Sequence, residues 1–82
     1  MSDLSKQKAR IKSKPTDYKW GELTSLLSKM GYAEIQGNGS RVKFYNNKKD
    51  SLIALHKPHP SSILKQYMVK AIVNKLEEAG FL

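Results

Sequence analysis

The chain has 82 residues, enough for one small domain but too few to enclose a deep substrate cavity. Fifteen Lys and Arg against seven Asp and Glu give a formal net charge of +8, which favours polyanionic partners: RNA, DNA or an acidic protein. Cysteine is absent, which excludes disulfides and thiolate metal sites, and no apolar run approaches the roughly 20 residues of a membrane helix, so we expect a cytoplasmic protein, neither membrane-bound nor exported.

The first 14 residues carry a basic side chain at every second position from Lys6 to Lys14 and few apolar ones. A segment of this kind cannot bury a core face and should be mobile when free, although it can order on a phosphate backbone or an acidic partner. We therefore predict that residues 1–15 form a flexible basic arm in front of a single domain over residues 16–82. The alternative is a solvated start without a function of its own.

Apolar residues with helical spacing follow the arm. They recur at i, i+3, i+4 and i+7, the spacing of one helical face: Leu23, Leu26, Leu27 and Met30. Gly31 follows directly and is a candidate C-cap, because glycine adopts the left-handed conformation without Cβ strain. We expect Trp20, just ahead of this helix, to cover the core rather than stack on a nucleobase.

Two polar turns and three apolar segments predict an antiparallel meander. The predicted strands are residues 32–36, 40–45 and 51–56. Because successive side chains of a strand point to opposite faces, we expect Ala33 and Ile35 of the first strand to face the core. The third strand is apolar on both sides, and we favour Ile53 and Leu55 as its buried residues.

The second strand follows the glycine-rich turn 37–40 and separates basic from apolar residues. Val42 and Phe44 share one face, and the other carries Arg41, Lys43 and Tyr45. Arginine can grip a phosphate with two hydrogen bonds, and tyrosine can stack on a base or bond a 2′-hydroxyl. The second face therefore suits RNA contact; the alternative is an ordinary solvated sheet face.

Proline ends the third strand. Pro58 and Pro60 lack the amide donor that a strand ladder needs, so pairing should end near His56. A final helix, with Gly80 as its candidate C-cap, is predicted from a second apolar set: Val69, Ile72, Val73 and Leu76. The predicted fold class is α+β, in the order helix-strand-strand-strand-helix, with both helices packed on one face of a three-stranded antiparallel sheet.

The only histidines of the chain are His56 and His59. Histidine is the side chain whose ordinary pKa lies closest to neutrality. RNA cleavage without a metal needs a base, an acid, and positive charge against the developing phosphorane. The alternative is that these histidines only fix the proline-rich connector by hydrogen bonds. Two histidines without cysteine fall short of a zinc ligand set, so no metal or other cofactor is predicted.

Several short motifs occur in order along residues 18–82. They are Trp20-Gly21-Glu22-Leu23, Leu26-Leu27 with Gly31, Gly39-Ser40 with Phe44, the His-Lys-Pro-His-Pro segment at 56–60, and Leu76-Glu77-Glu78-Ala79-Gly80. In this order and spacing they resemble the small HicA-type toxins of bacterial type II toxin–antitoxin systems. The resemblance implies a fold like that of double-stranded-RNA-binding domains and a cognate HicB-like antitoxin as protein partner. The activity that it implies is that of a ribosome-independent mRNA interferase, an endoribonuclease that inhibits translation.

The resemblance also implies a catalytic histidine directly after the Gly-Ser pair, and Arg41 occupies that position here. A guanidinium stays protonated, so it can stabilise negative charge but cannot act as the base. We therefore predict His59 as the base, with His56 as the second candidate, and Arg41 and Lys57 as cationic stabilisers. The predicted RNA contacts are Ser40, Arg41, Lys43, Tyr45 and Lys57. Two alternatives stay open: an RNA-binding protein of the same fold that does not cleave, and a module that docks an acidic protein.

Overall fold

The computed structural model describes residues 3–58 and 61–82. The elements of that part of the chain are α1 (Asp3–Lys12), α2 (Trp20–Lys29), β1 (Ala33–Gln36), β2 (Arg41–Asn46), β3 (Ser51–His56) and α3 (Gln66–Glu78). The central strand β2 pairs antiparallel with both β1 and β3. The predicted α+β class and the three-stranded meander are confirmed, and α1 is an additional helix ahead of the predicted order.

The core lies between the helices and one face of the sheet. The helices α2 and α3 bury the residues whose spacing predicted them: Trp20, Leu23, Leu26, Leu27, Val69, Ile72, Val73 and Leu76. Val42, Phe44 and Ile53 are the buried sheet residues that join this core, and the Trp20 and Phe44 rings lie 5.8 Å apart, as expected for a tryptophan that covers the core. No helix within residues 3–58 and 61–82 has the length and apolarity needed to cross a membrane.

The facing predicted for β1 is wrong. The register pairs Ile35 with Lys43, on the sheet face away from the helices, and Ile35 is 50% exposed. Glu34 lies on the helix side, opposite Phe44, but it too is exposed. A four-residue edge strand has a neighbour on one side only, so apolar alternation within it did not reveal which face is covered. The facing predicted for β3 is right, since Ile53 is buried and Leu55 packs half-buried against the core.

The segment predicted to be a flexible arm forms helix α1, which packs against α2 and α3. Ile11 is fully buried, and Leu4 is partly buried against the same core. These two residues are seven positions apart, two helical turns, so they lie on one side of α1 although three of the six positions between them are basic. The expectation that this segment has no core face is therefore wrong, and the folding of residues 16–82 without it stays a prediction.

Arginine 10 ties α1 to the start of α2. Its guanidinium contacts the Glu22 carboxylate, with Nη2 to Oε2 at 3.1 Å, and the Asp17 carboxylate at 3.2 Å. It also lies over the Tyr18 ring, 5.6 Å from the centroid. The same Glu22 carboxylate accepts a hydrogen bond from the backbone N–H of Lys19, which helps to satisfy the free amides at the start of α2.

A buried asparagine joins the end of α2 to the turn between β2 and β3. Asn46 is 3% exposed; its Nδ2 donates to the Met30 carbonyl at 2.9 Å, and its Oδ1 accepts from the Lys49 N–H at 3.0 Å. One side chain therefore links the helix end to the turn, through hydrogen bonds of both the nitrogen and the oxygen of its amide. This turn sets where β3 begins, and so sets which residue of β3 faces which residue of β2.

Candidate nucleic-acid interface

The sheet face opposite the helices is open. Strand alternation and register place eight side chains on it: Ala33, Ile35, Arg41, Lys43, Tyr45, Leu52, Ala54 and His56. We call these eight residues the open face. All are exposed except Tyr45, which is half-buried, and none is acidic. Its basic members make the open face attractive to phosphate.

Arg41 and His56 are direct cross-strand partners at the glycine-turn end of the open face. The Lys57 N–H donates to the Ser40 carbonyl at 2.7 Å, so residues 40 and 57 form a hydrogen-bonded pair. Hydrogen-bonded and non-hydrogen-bonded pairs alternate along antiparallel strands, which makes Arg41 and His56 a non-hydrogen-bonded pair, with Cα atoms about 4.5 Å apart and side chains at their closest. Arg41 and His56 thus project from neighbouring positions and line one concavity of the open face.

The glycine turn places Ser40 beside His56. The Gly37 N–H donates to the Arg41 carbonyl at 2.8 Å, and a Cβ at position 37 would lie 3.1 Å from the Arg41 Cβ, closer than side chains normally pack. Gly39 has a φ of +62°, in the left-handed region that favours glycine. The tight turn places the Ser40 Oγ 3.3 Å from the Nδ1 of His56, within hydrogen-bond distance.

Two shallow concavities of about 300 Å³ each flank Arg41 on the open face. One is lined by Arg41 and Lys43 together with Ala54 and His56, and the other by Arg41 and Lys43 together with Ile35 and the glycine turn. A third, of similar size, is lined by Gly39, Ser40, Lys57 and Pro58. The predicted contacts Ser40, Arg41, Lys43 and Lys57 therefore meet around one end of the sheet, in a shape that suits an extended polyanion rather than an enclosed small molecule.

Tyr45 lies apart from this group, in the row of the open face at the far end of β2. It is four residues from Arg41, about 13 Å along the strand. Its hydroxyl donates to the Asp50 carboxylate at 2.9 Å, and this hydrogen bond raises the pKa of Tyr45. Of the predicted RNA contacts, Tyr45 is the one that the structure separates from the others.

The preferred catalytic candidate, His59, lies outside the described residues, so its predicted role stays a prediction. His56 is described, exposed, and central to the group around Arg41. In the described part of the chain, no three side chains among His, Cys, Asp and Glu are placed to hold one metal ion.

Comparison with known families decides the affiliation. The family model described as the HicA toxin of bacterial toxin-antitoxin matches residues 20–81, most of the chain. The chain belongs to the HicA toxin family. No curated protein and no solved structure matches it. As a HicA toxin it is part of a toxin–antitoxin system, and this membership implies a cognate antitoxin as its partner.

The HicA toxin match begins at Trp20, the first residue of α2, so α1 lies outside the matched region. The resemblance placed the family's histidine at position 41, and the register places His56 of this HicA toxin directly opposite that position. Sequence reasoning named both residues but not their pairing. The polar turn 47–50 carried the signal that could have revealed this pairing. Once the turn pairs residue 46 with residue 51, the antiparallel register also pairs residue 41 with residue 56.

Proposed function

We propose that this HicA toxin binds RNA across the open face and cleaves it as a metal-independent endoribonuclease, and so inhibits translation. The observation that carries the proposal is the cross-strand pair of Arg41 and His56. It supplies an imidazole beside the position where the resemblance implies one, but from β3 instead of β2. The proposal therefore moves the base from His59 to His56, whose position supports that role.

The chemistry needs three groups. A base takes the proton of a ribose 2′-hydroxyl as that oxygen attacks the adjacent phosphorus. The bond from phosphorus to the 5′-oxygen then breaks, and an acid returns a proton to that leaving oxygen. We assign the base to His56 and the stabilisation of the phosphorane charge to Arg41 and Lys57. His59, predicted from the sequence as the base, is here proposed as the acid instead.

Binding is assigned to basic and apolar members of the open face, together with the adjacent Lys57. Arg41, Lys43 and Lys57 are exposed cations that can neutralise successive phosphates. Ile35 and Ala54 lie on either side of Lys43 in the register and offer a flat apolar surface on which a ribose or a base can rest. If the chain binds RNA on this surface without cleaving it, it is an RNA-binding protein of this fold. That alternative stays open because Arg41 stands where the resemblance implies the catalytic histidine.

Cleavage of a labelled transcript by the purified full chain in EDTA tests the assignment. General acid–base catalysis contributes about 10²- to 10⁴-fold, so we expect His56→Ala to lower the rate within that range while RNA affinity stays close to wild type. His59→Ala and Arg41→Ala test the acid and the charge stabiliser. Lys70→Ala, an exposed lysine on α3, is the matched control and should cleave like the wild type.

Two results would contradict the proposal in different ways. RNA binding without cleavage by the wild type would support the non-catalytic binder. Cleavage that survives in His56→Ala would show that His56 is not the base.

A second candidate function for the open face is docking of the antitoxin. Ile35 is 50% exposed and Leu52 is 45% exposed, and both lie on this face beside its basic residues. Exposed apolar side chains within a charged rim are typical of protein-binding surfaces. If the antitoxin uses the open face, RNA affinity should fall when it is bound; an unchanged RNA affinity in the toxin–antitoxin complex would place its docking elsewhere.

A further inference from the structure

We propose that Ser40 is a positioning residue for His56: its Oγ accepts a hydrogen bond from Nδ1–H of the imidazole and so leaves Nε2 unprotonated. The consequence for cleavage rests on the proposed function, whereas the protonation of the ring nitrogens can be measured without it. The inference concerns which nitrogen of a neutral histidine carries its single proton, since the other nitrogen is the one that can accept a proton from the substrate.

The geometry brings the two side chains together from the glycine turn and from β3. The Ser40 Oγ lies 3.3 Å from Nδ1 of His56. The backbone around them is fixed, because the Ser40 carbonyl accepts the Lys57 N–H at 2.7 Å and the turn before Ser40 is closed by the Gly37 N–H on the Arg41 carbonyl at 2.8 Å. These backbone hydrogen bonds hold Ser40 and His56 at neighbouring positions, from which their side chains reach each other.

Two directions of this hydrogen bond can be compared. If the Ser40 hydroxyl donated to Nδ1, the ring proton would be on Nε2, and a neutral ring would have no free lone pair for a 2′-hydroxyl proton. If Nδ1–H donates to Oγ, the Nε2 lone pair is free. This second hydrogen bond also persists after His56 takes up a proton, because both nitrogens then donate. Only the second direction is compatible with proton uptake by Nε2.

Bound phosphate favours the second direction. When Oγ accepts from the ring, the hydroxyl proton of Ser40 is free to donate to a phosphate oxygen, and Arg41 and Lys57 beside it attract that phosphate. A hydroxyl that donates to an anion is also a better acceptor, since consecutive hydrogen bonds polarise one another. RNA would therefore set the protonation of the ring through Ser40.

Nitrogen NMR of the histidine ring tests this directly. The uniformly ¹⁵N-labelled full chain carrying His59→Gln has His56 as its only imidazole, and a 2′-O-methylated RNA supplies phosphates that cannot be cleaved by 2′-hydroxyl attack. Above neutral pH, with this RNA bound, we expect the Nδ1–H form in the parent chain and in Ser40→Thr, which keeps the hydroxyl. Ser40→Ala should lose the preference for Nδ1–H, and Ser28→Ala, an exposed serine on α2, should keep it.

Cleavage rates of the same serine variants in the otherwise wild-type chain complete the test. We expect Ser40→Ala to cleave about ten- to a hundredfold more slowly, the range found when a partner that orients a metal-bound histidine is removed, and Ser40→Thr to recover most of the rate. An identical ring tautomer in Ser40→Ala and its parent, or an unchanged cleavage rate in Ser40→Ala, would overturn the inference. The expected tautomers in a protein that does not cleave would uphold the role of Ser40 and overturn the proposed catalysis instead.

Discussion

A few side chains in this molecule hold separate parts of the chain together. Arg10 is the clearest case at the level of single residues, because one guanidinium contacts two carboxylates and a tyrosine ring. Its hydrogen bond is the main reason why the pKa of Glu22 is lowered, and burial is the main reason why the pKa of Tyr18 is raised. The pair of Arg10 and Glu22 is about one third exposed on each side, so solvent weakens it without removing it.

Glu22→Gln should make stability less dependent on pH. The pKa of Glu22 is lowered in the folded chain, so its contribution is present above the ordinary glutamate pKa of about 4.3 and is lost as the pH falls through the lower folded value. We expect the variant to unfold at lower urea concentration than the wild type at pH 7 and at a similar concentration at pH 2–3. Glu77→Gln, at an exposed site on α3, is the control, and a difference of equal size at both pH values would contradict the prediction.

At the level of elements, α1 is the helix that sequence patterning did not reveal. It contributes a fully buried isoleucine and a partly buried leucine to a core otherwise built from α2, α3 and the sheet. In a domain of this size the unfolded chain buries only about 60% of its surface on folding, so each additional buried apolar side chain matters more than it would in a large protein.

Ile11→Ala should therefore destabilise the whole domain. Removing a fully buried isoleucine costs about 2–5 kcal/mol, a large part of the stability of a small domain, whereas Lys12→Ala on the exposed side of the same helix should change it by less than about 0.5 kcal/mol. Urea unfolding followed by circular dichroism measures both. If Ile11→Ala unfolded at the same urea concentration as Lys12→Ala, α1 would be a dispensable arm, as its basic pattern first indicated.

The sequence predicted those elements whose apolar residues fit one period, and it failed where tertiary contacts decide. The helical spacing from Leu23 to Met30 and the alternation from Arg41 to Tyr45 predicted α2 and both faces of β2. In β1 apolar and polar residues alternate in the same way, but Ile35 faces away from the helices. Its cross-strand partner is Lys43, which lies on the open face and not on the core face. Likewise the contact of Ser40 with His56 joins residues sixteen positions apart, and only the three-dimensional structure shows it.

Basic residues lie on both sides of the molecule as a whole, so substitutions on each side can test which side binds RNA. Lys43 lies on the open face, whereas Lys70 lies on α3, the helix side. RNA affinity should fall with rising salt, with a slope in a double-logarithmic plot of about −0.7 to −0.9 for each phosphate neutralised.

Lys43→Gln should reduce that slope by nearly one unit, because one phosphate contact is lost, whereas Lys70→Gln should leave it unchanged. A gel-shift titration at several salt concentrations provides both slopes. Equal effects of the two substitutions would mean that RNA is attracted by net charge alone and does not use the open face.

The cross-strand pairing of Arg41 with His56 has a consequence for comparing members of the family. An alignment treats each position as a separate column, and in the column after the Gly-Ser pair this chain shows only an arginine where the resemblance implies a histidine. Arg41 and His56, two partners in an antiparallel sheet, occupy adjacent space although they are fifteen positions apart along the chain. A functional group can therefore pass from one strand to its neighbour with little displacement of its reactive atom, and a survey of active and inactive members has to compare both columns together.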